Sequence, residues 1–258
     1  PLRETSPYIN RIKLLWQKMR GPVIETFPHA PGLPRNKAAY MKGVEAAYVT
    51  DAYHSLSIEG YRITASLIER VRGGSWNPEI HERDREQRNA MAARGYWQAF
   101  HLVEQSIGKV LKGENPGAVA EQDHRAWYRE MFAPSVAAGL FRASELAGYR
   151  NGQVFIRNSM HVPLNKEAVR DAMPAFFDLL RAEEHPAVRV VLGHLIFVYI
   201  HPYMDGNGRM GRFLMNTMMA AAGLPRGASA FESRAWPKPK KPPRSSSRCS
   251  ASRRKSSA

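Results

Sequence analysis

Apolar residues recur at helical spacing along most of this chain. The spacing predicts helices near residues 8–19, 36–54, 64–72, 80–111, 117–131, 166–183, 186–200 and 207–222. A stretch containing proline and glycine, from Gly21 to Pro34, predicts a link between the first two helices. The pattern therefore indicates a mainly α fold.

One segment departs from the helical pattern. Residues 152–162 are rich in β-branched and aromatic side chains, with Asn158 and Ser159 in the middle. This composition predicts a short β-hairpin. We therefore expect an N-terminal helical region over 1–80, a helical core with one hairpin over 81–225, and a low-complexity tail over 226–258 that is disordered.

The net charge of +15 is concentrated at the end of the chain. Residues 234–258 hold nine Lys or Arg and no acidic residue, which leaves +6 for residues 1–233. The tail is interpreted either as a disordered or artefactual end, or as an arm that binds nucleic acid or an acidic partner. The single cysteine, Cys249, excludes an internal disulfide and favours a reducing compartment, the cytoplasm.

The longest apolar stretch, Val188 to Ile200, contains Arg189 and is too short to span a bilayer, so we expect no membrane association. A polar run follows it directly and precedes a second apolar segment: His-Pro-Tyr-Met-Asp-Gly-Asn-Gly-Arg-Met-Gly-Arg, residues 201–212. Its density of charged and glycine residues between two apolar helices indicates a functional loop.

The middle of this run suits a phosphate. Gly206, Asn207 and Gly208 tolerate backbone conformations that let N–H groups converge at the start of a helix, where the helix dipole favours an anion. Arg209 and Arg212 are three residues apart, so both lie on one face of that helix and suit a polyphosphate.

Asp205 is an oxygen ligand suited to Mg²⁺ at the mouth of this cradle, and His201 is a candidate general base near neutral pH. Taken singly, each of these residues has a structural explanation: a helix cap for the histidine, a turn for Asp-Gly-Asn-Gly, and a solvated helix surface for the arginines.

Residues 201–212 resemble the signature of the Fic family, His-Pro-Phe-x-(Asp/Glu)-Gly-Asn-Gly-Arg-x-x-Arg, with Tyr203 where phenylalanine is typical. Ser55-Leu-Ser-Ile-Glu59-Gly60 is similar to the family's inhibitory motif, (Ser/Thr)-x-x-x-Glu-(Gly/Asn). It precedes the core, as in the subclass with an N-terminal inhibitory helix. The resemblance covers about residues 40–222 and implies the Fic helical bundle, with the hairpin as its flap.

The resemblance implies an enzyme, a protein adenylyltransferase that moves AMP from ATP onto a Ser, Thr or Tyr hydroxyl of a target protein. It implies that His201 takes the hydroxyl proton and that Asp205 binds Mg²⁺. The remaining residues of the signature would hold the phosphates: Asn207 with Gly206 and Gly208 at the α-phosphate, and Arg209 with Arg212 at the β- and γ-phosphates.

The resemblance also implies that Glu59, with Ser55 in the same motif, is inhibitory. The glutamate would pair with Arg212 and occupy the γ-phosphate site. Alternatively, Glu59 is an exposed residue at a helix end. In the flap, Val154, Phe155 and Ile156 either pair with an extended target segment or pack on the core.

The same residues are also compatible with other functions. Glu59 could align a water that removes AMP from a modified target, or the loop could transfer another phosphate-containing group. A non-enzymatic DNA-binding regulator would act through the tail or through a C-terminal domain beyond this chain. Self-modification and a homo-oligomer are further possibilities. We interpret His161 and His194 as structural, and a group of methionines as core: Met210, Met215, Met218 and Met219.

Overall fold

The computed structural model describes residues 6–27, 29–75, 88–156 and 159–224. The helices within these ranges are α1 (Pro7–Thr26), α2 (Lys37–Ala46), α3 (Tyr48–Ile58), α4 (Ala65–Arg72), α5 (Arg88–Leu111), α6 (Pro116–Ala137), α7 (Lys166–Ala182), α8 (Pro186–Ile200) and α9 (Asn207–Ala222). A 3₁₀ turn at Ala143–Leu146 lies between α6 and α7. The predicted mainly α fold is confirmed. The tail at 226–258 and the start of the predicted helix at 80–111 lie outside the described residues.

Side-chain caps fix several of the predicted helix starts. Thr64, Asn115 and Asn165 each accept a hydrogen bond from a backbone N–H in the first turn of α4, α6 and α7 respectively. At the other end of the fold, Gly223 adopts φ 67° and ends α9. These local signals explain why the predicted starts of α4, α6 and α7 and the predicted end of α9 agree with the structure, whereas α6 continues to Ala137, beyond its predicted end at 131.

Two predictions about the N-terminal region were wrong. The link expected from Gly21 is helical as far as Thr26, with Pro22 inside α1. Val23 and Ile24 pack against the core there, which favours continuing the helix past the proline. The single helix expected over 36–54 is two helices, because the chain bends at Ala47 between α2 and α3.

The core is built on two close helix crossings. A Cβ at Gly95 on α5 would lie 1.9 Å from the carbonyl oxygen of Met131 on α6, so only glycine fits at this crossing. Helices α8 and α9 form the other side of the same core, where the predicted methionine cluster is confirmed as filling: Met210, Met218 and Met219 are buried and Met215 is partly buried.

Helix α1 is tied to this core by a shared carboxylate. Glu183, after α7, accepts hydrogen bonds from Trp16 Nε1 at 3.2 Å and from Arg20 Nε at 2.9 Å. Arg20 adds a second bond at 3.0 Å and so binds the carboxylate in bidentate fashion. The N-terminal helices thus share a core with α5–α9, and the division into 1–80, 81–225 and 226–258 stays a prediction.

The predicted β-hairpin over 152–162 was wrong for the residues that the structure describes; its middle, residues 157–158, lies outside them. The described residues contain no strand, and those between 150 and 165 form a loop without a backbone ladder between its arms. Side chains hold its base instead: Gln153 Nε2 donates to the carbonyl of Pro163 at 3.3 Å. Phe155, Met160 and Val162 are exposed, so neither arm has the buried face that fixes strand register.

Histidine packing agrees with the structural interpretation made from sequence. His194 is largely buried on α8 beside Gly211, and burial lowers the pKa of its imidazole. His161 stacks on Tyr199 and its Nε2 lies 3.0 Å from the Tyr199 carbonyl oxygen. None of the helices in the described ranges combines the length and apolarity needed to cross a bilayer.

Candidate active site

The polar run predicted from sequence forms the connection between α8 and α9. His201 follows α8 directly and adopts φ 55°, a left-handed backbone that non-glycine residues rarely take. Its Nδ1 lies 3.1 Å from the carbonyl oxygen of Val198. Burial lowers the pKa of His201 although this hydrogen bond opposes the shift. The imidazole is therefore neutral, as a general base must be, at pH 7.

Two glycines shape the start of α9. Gly206 caps the helix with φ 77°, and a Cβ there would lie 2.7 Å from Met131 Cε. A Cβ at Gly208 would lie 2.6 Å from the Glu59 Oε1 atom. Gly206 therefore requires glycine because of its backbone conformation and packing, whereas a side chain at Gly208 would displace the Glu59 carboxylate beside it.

Asp205 lies at the mouth of two neighbouring cavities, of about 530 and 420 Å³. Its Oδ1 accepts a hydrogen bond from the Gly206 N–H at 2.7 Å, while its side chain is 56% exposed. Arg209 lines the smaller cavity together with Tyr61 and Phe132. The half-exposed carboxylate and the buried guanidinium thus face the same space.

Asn207 is engaged within the loop itself. Its Oδ1 accepts from the Tyr203 N–H and its Nδ2 donates to the Tyr203 carbonyl, both at 2.8 Å. The side chain is buried and fixes the turn before α9. Both polar atoms of Asn207 thus help to shape the loop, and the contact with the α-phosphate implied by the resemblance stays a prediction.

Glu59 lies between the two arginines of the run. Its Oε2 accepts from Arg209 Nε and its Oε1 from Arg212, each at 2.7 Å. Arg212 also donates to the hydroxyl of Ser55 at 2.7 Å and to its carbonyl at 2.9 Å. One carboxylate at the end of α3 thus occupies guanidinium groups that otherwise suit phosphate oxygens.

The Arg209 side chain is almost completely buried and lies against two aromatic rings. Its side chain is 1% exposed, and its guanidinium carbon lies 5.3 Å from the Tyr61 ring centre and 5.2 Å from that of Phe132. Within the described ranges its NH2 group has no hydrogen-bond partner, and a carboxylate oxygen of Asp205 is 3.7 Å away. This group therefore retains donor capacity that an anionic oxygen would satisfy.

Sequence reasoning missed a further anchor of α3. Asp51, one turn before Ser55, accepts a hydrogen bond at 2.8 Å from the hydroxyl of Tyr96 on α5. Both residues are buried. The sequence contained a signal for this anchor, because Asp51, Ser55 and Glu59 are spaced four residues apart and therefore share one helix face.

Asp205 fits a Mg²⁺ ion that is shared with a polyphosphate. No cluster of three metal-ligating side chains occurs in the part of the chain described. Mg²⁺ is commonly held by one or two carboxylates, substrate phosphates and water, so a single half-exposed carboxylate beside the phosphate cradle meets the requirement.

Tyr203, at the phenylalanine position of the signature, stacks on Tyr128 with ring centres 3.7 Å apart. Its hydroxyl is buried and has no hydrogen-bond partner among the described residues. Burial raises the pKa of this hydroxyl well above its ordinary value. The aromatic ring thus supplies packing, whereas the hydroxyl carries a desolvation cost.

Tyr203→Phe is expected to raise the free energy of unfolding by about 1 kcal/mol, because it removes a buried polar atom that lacks a partner. Urea denaturation measures the change. Tyr149→Phe is the matched control, since the Tyr149 hydroxyl lies 3.0 Å from His124 Nε2 and its loss should destabilise the fold. A loss of stability in Tyr203→Phe would contradict the assignment.

Comparison with known proteins agrees with this geometry. The sequence profile of the Fic/DOC family matches residues 118–219. The chain is 28% identical over 228 residues to Protein adenylyltransferase Fic of Nematostella vectensis, covering 87% of this chain and 49% of the relative. The protein of the same name from Drosophila willistoni is 27% identical over 192 residues, covering 73% and 35%. The chain thus spans half or less of the length of these relatives.

Solved structures share the fold. Fic-1 (residues 134–508) of C. elegans superposes with a TM-score of 0.56 at 20% identity, covering 84% of this chain and 60% of that one. A Fic family protein from Desulfovibrio desulfuricans G20 gives a TM-score of 0.51 at 20% identity, covering 85% and 59%. The profile match thus identifies residues 118–219 as similar to the Fic/DOC family, and the superposed structures show that the chain shares the helical fold of Fic proteins.

Proposed function

We propose that this protein is an adenylyltransferase that transfers AMP from ATP to a Ser, Thr or Tyr hydroxyl of a target protein. The observation that carries the proposal is the convergence of two arginines on the N-terminus of α9. His201 lies at the opposite end of the same short loop. The names of the relatives, Protein adenylyltransferase Fic, support this reaction.

In the proposed reaction, His201 accepts the proton of the target hydroxyl. The hydroxyl oxygen forms a bond to the α-phosphorus of ATP, and the bond from that phosphorus to the β-phosphate oxygen breaks. Pyrophosphate leaves, and the guanidinium groups of Arg209 and Arg212 stabilise its charge. Bound Mg²⁺ would supply further neutralisation of the phosphates, held by Asp205.

The backbone would hold the α-phosphate. The N–H groups of Asn207 and Gly208 lie where the helix dipole favours an anion, and Gly206, whose own N–H donates to Asp205, supplies the left-handed turn before them. The Asn207 side chain holds the turn through Tyr203 and is proposed to add a contact with the α-phosphate. Positioning of this kind accounts for much of the barrier reduction in group transfer.

Glu59 and Ser55 are proposed to make the enzyme autoinhibited, as in the subclass with an N-terminal inhibitory helix. The Glu59 carboxylate binds the same guanidinium groups that would clamp the β- and γ-phosphates. ATP must therefore displace it before the phosphates can take the productive position. The hydrogen bonds from Arg212 to Ser55 hold α3 where this competition occurs.

The target is proposed to meet the loop before α7. Phe155 is 75% exposed there, and Val154, Phe155 and Ile156 belong to no helix or strand. A segment outside regular secondary structure could bind a target segment by main-chain hydrogen bonds if it adopts an extended conformation. Self-modification, a homo-oligomer, the cytoplasm and a contribution of the basic tail to nucleic-acid binding stay predictions.

The experiment compares the wild type, Glu59→Gly and Glu59→Gly/His201→Asn, each with Mg²⁺ and a cell extract. Label from ATP labelled at the α-phosphate should be retained on protein with Glu59→Gly, and label at the γ-phosphate should not. Retention of γ-label would indicate phosphate transfer instead. Hydrolytic release of AMP from a modified protein by the wild type, without addition to a fresh one, would indicate removal of AMP by an attacking water instead.

The acid limb of the pH profile tests His201 as the base. Because burial lowers its pKa, more than half of the imidazole is still neutral at pH 6.5, the ordinary histidine value. The acid limb of kcat/KM for Glu59→Gly should therefore have its midpoint below pH 6.5. A midpoint at or above pH 6.5 would contradict the assignment.

A further inference from the structure

Arg150 stands at the entrance of the loop that precedes α7 and is 4% exposed. Its Nε donates to the carbonyl of His201 at 2.7 Å, and its NH1 donates to the carbonyl of Gly152 at 2.9 Å. Its NH2 donates to the carbonyl of Leu164. The backbone N–H of the same residue donates to the carbonyl of Pro202 at 2.9 Å.

These bonds leave a buried cation without an acidic partner. No carboxylate among the described residues lies within ion-pair distance of the Arg150 guanidinium, so backbone carbonyls alone compensate its burial. A buried charge is costly unless its hydrogen bonds are satisfied. Lysine, a single ammonium, cannot direct planar donors to three separate segments.

The hydrogen bond to His201 is made to a residue whose backbone conformation is strained. His201 is the non-glycine residue with positive φ in the described ranges, and this conformation persists only when its surroundings hold it. Residue 150 binds the carbonyls of both His201 and Pro202, the first two positions after α8. Loss of the side-chain bond to the His201 carbonyl would let this backbone relax and displace the imidazole, while the backbone bond to Pro202 remains.

We propose that Arg150 is a positioning residue: its guanidinium fixes the backbone of His201 and joins it to both ends of the loop 151–164. This inference rests on the proposed function of His201 as the base. The loop is also the proposed docking segment for the target. Arg150 therefore fixes the position of His201 relative to the loop that is proposed to bind the target.

Gln153 gives a matched control. Its Nε2 donates to the carbonyls of Val154 and Pro163, both at 3.3 Å, so it holds the loop base without a hydrogen bond to the His201 backbone. Gln153→Ala loosens the loop alone. Arg150→Met and Arg150→Lys loosen the loop and also free the His201 backbone.

Kinetics in the Glu59→Gly background separate the two roles. Arg150→Met should lower kcat about 10- to 100-fold with the KM for ATP unchanged, since small displacements of a catalytic group cost about this much. Arg150→Lys should show a smaller loss, and Gln153→Ala should raise only the KM for the target. Equal KM changes in all three, with kcat unchanged, would overturn the proposal.

A second readout does not depend on AMP transfer. In protein labelled with ¹³C at histidine Cε1, the His201 resonance, assigned with His201→Asn, should shift in Arg150→Met and Arg150→Lys but not in Gln153→Ala. Removing the positive charge in Arg150→Met should also raise the pKa of His201. An unchanged His201 resonance in folded Arg150→Lys would overturn the proposal. If no variant transfers AMP, the proposed function fails while this spectrum still decides the placement.

Discussion

Glu59→Gly is expected to raise the initial rate of AMP transfer roughly a hundredfold at subsaturating ATP. The carboxylate accepts two charge-assisted hydrogen bonds of 2.7 Å from Arg209 and Arg212. At about 1.5 kcal/mol each, they oppose phosphate binding by about 3 kcal/mol, which is roughly a hundredfold in an equilibrium constant. Label from ATP labelled at the α-phosphate, counted on protein over time, measures the rate.

The same substitution should change stability in the opposite sense. Without Glu59, the buried Arg209 guanidinium has Asp205 at 3.7 Å as its nearest carboxylate. An unpaired buried charge is strongly destabilising, so the Tm of the variant should fall below that of the wild type. ATP with Mg²⁺ should then raise its Tm more than it raises that of the wild type, because phosphates replace the missing carboxylate.

Ile58→Gly is the matched control for Glu59→Gly. It introduces the same flexible residue one position earlier, at the last residue of α3, whose side chain is 65% exposed. If Ile58→Gly activates as strongly as Glu59→Gly, loosening of the helix end accounts for the effect. If Glu59→Gly leaves the transfer rate at the wild-type level, the inhibitory role is refuted.

The second large effect is the loss of transfer when His201 is replaced in the Glu59→Gly background. General base catalysis contributes about 10²- to 10⁴-fold, and a decrease in kcat of that size is expected. Asparagine is the better replacement because it tolerates the left-handed backbone at this position, φ 55°. Alanine would combine the loss of the base with backbone strain.

Binding distinguishes a lost base from a damaged site. The Tm increase caused by ATP with Mg²⁺ should be the same in Glu59→Gly with and without His201→Asn, because the imidazole contacts the Val198 carbonyl and not the arginines. His101→Ala, which removes an exposed histidine paired with Glu104, should retain full activity. Residual transfer above a tenth of the parent rate in His201→Asn would exclude the proposed base.

Much of the helical fold follows from local sequence signals. The ends of α4, α7 and α9 agree with prediction because Thr64, Asn165 and Gly223 act within one turn of their own helices. Helix α1 continues beyond its predicted end near Gly21 because Val23 and Ile24 pack against the core, which the local sequence does not reveal. A propensity for breaking a helix is worth only about 1–3 kcal/mol, so such packing overrides it.

The residues of the candidate site could likewise be predicted from the sequence only in part. The loop 201–212 could be identified because its residues are adjacent, and the resemblance pointed to Glu59. Arg150 could not be found, since its partners are backbone carbonyls at positions 152, 164 and 201, which leave no trace in side-chain identity. The hairpin was predicted from composition, yet strand pairing needs a buried face that Phe155 and Val162 do not have.

The crossing at Gly95 has a consequence for how variation in this protein is interpreted. The residue it touches, Met131, also packs against Gly206, and the neighbouring Phe132 lies against the Arg209 guanidinium. Any side chain at position 95 would displace α6. Because Met131 and Phe132 on α6 pack against Gly206 and Arg209, the start of α9 would be displaced as well. In a survey of natural or clinical variants, this glycine would behave as an active-site position although it meets no substrate.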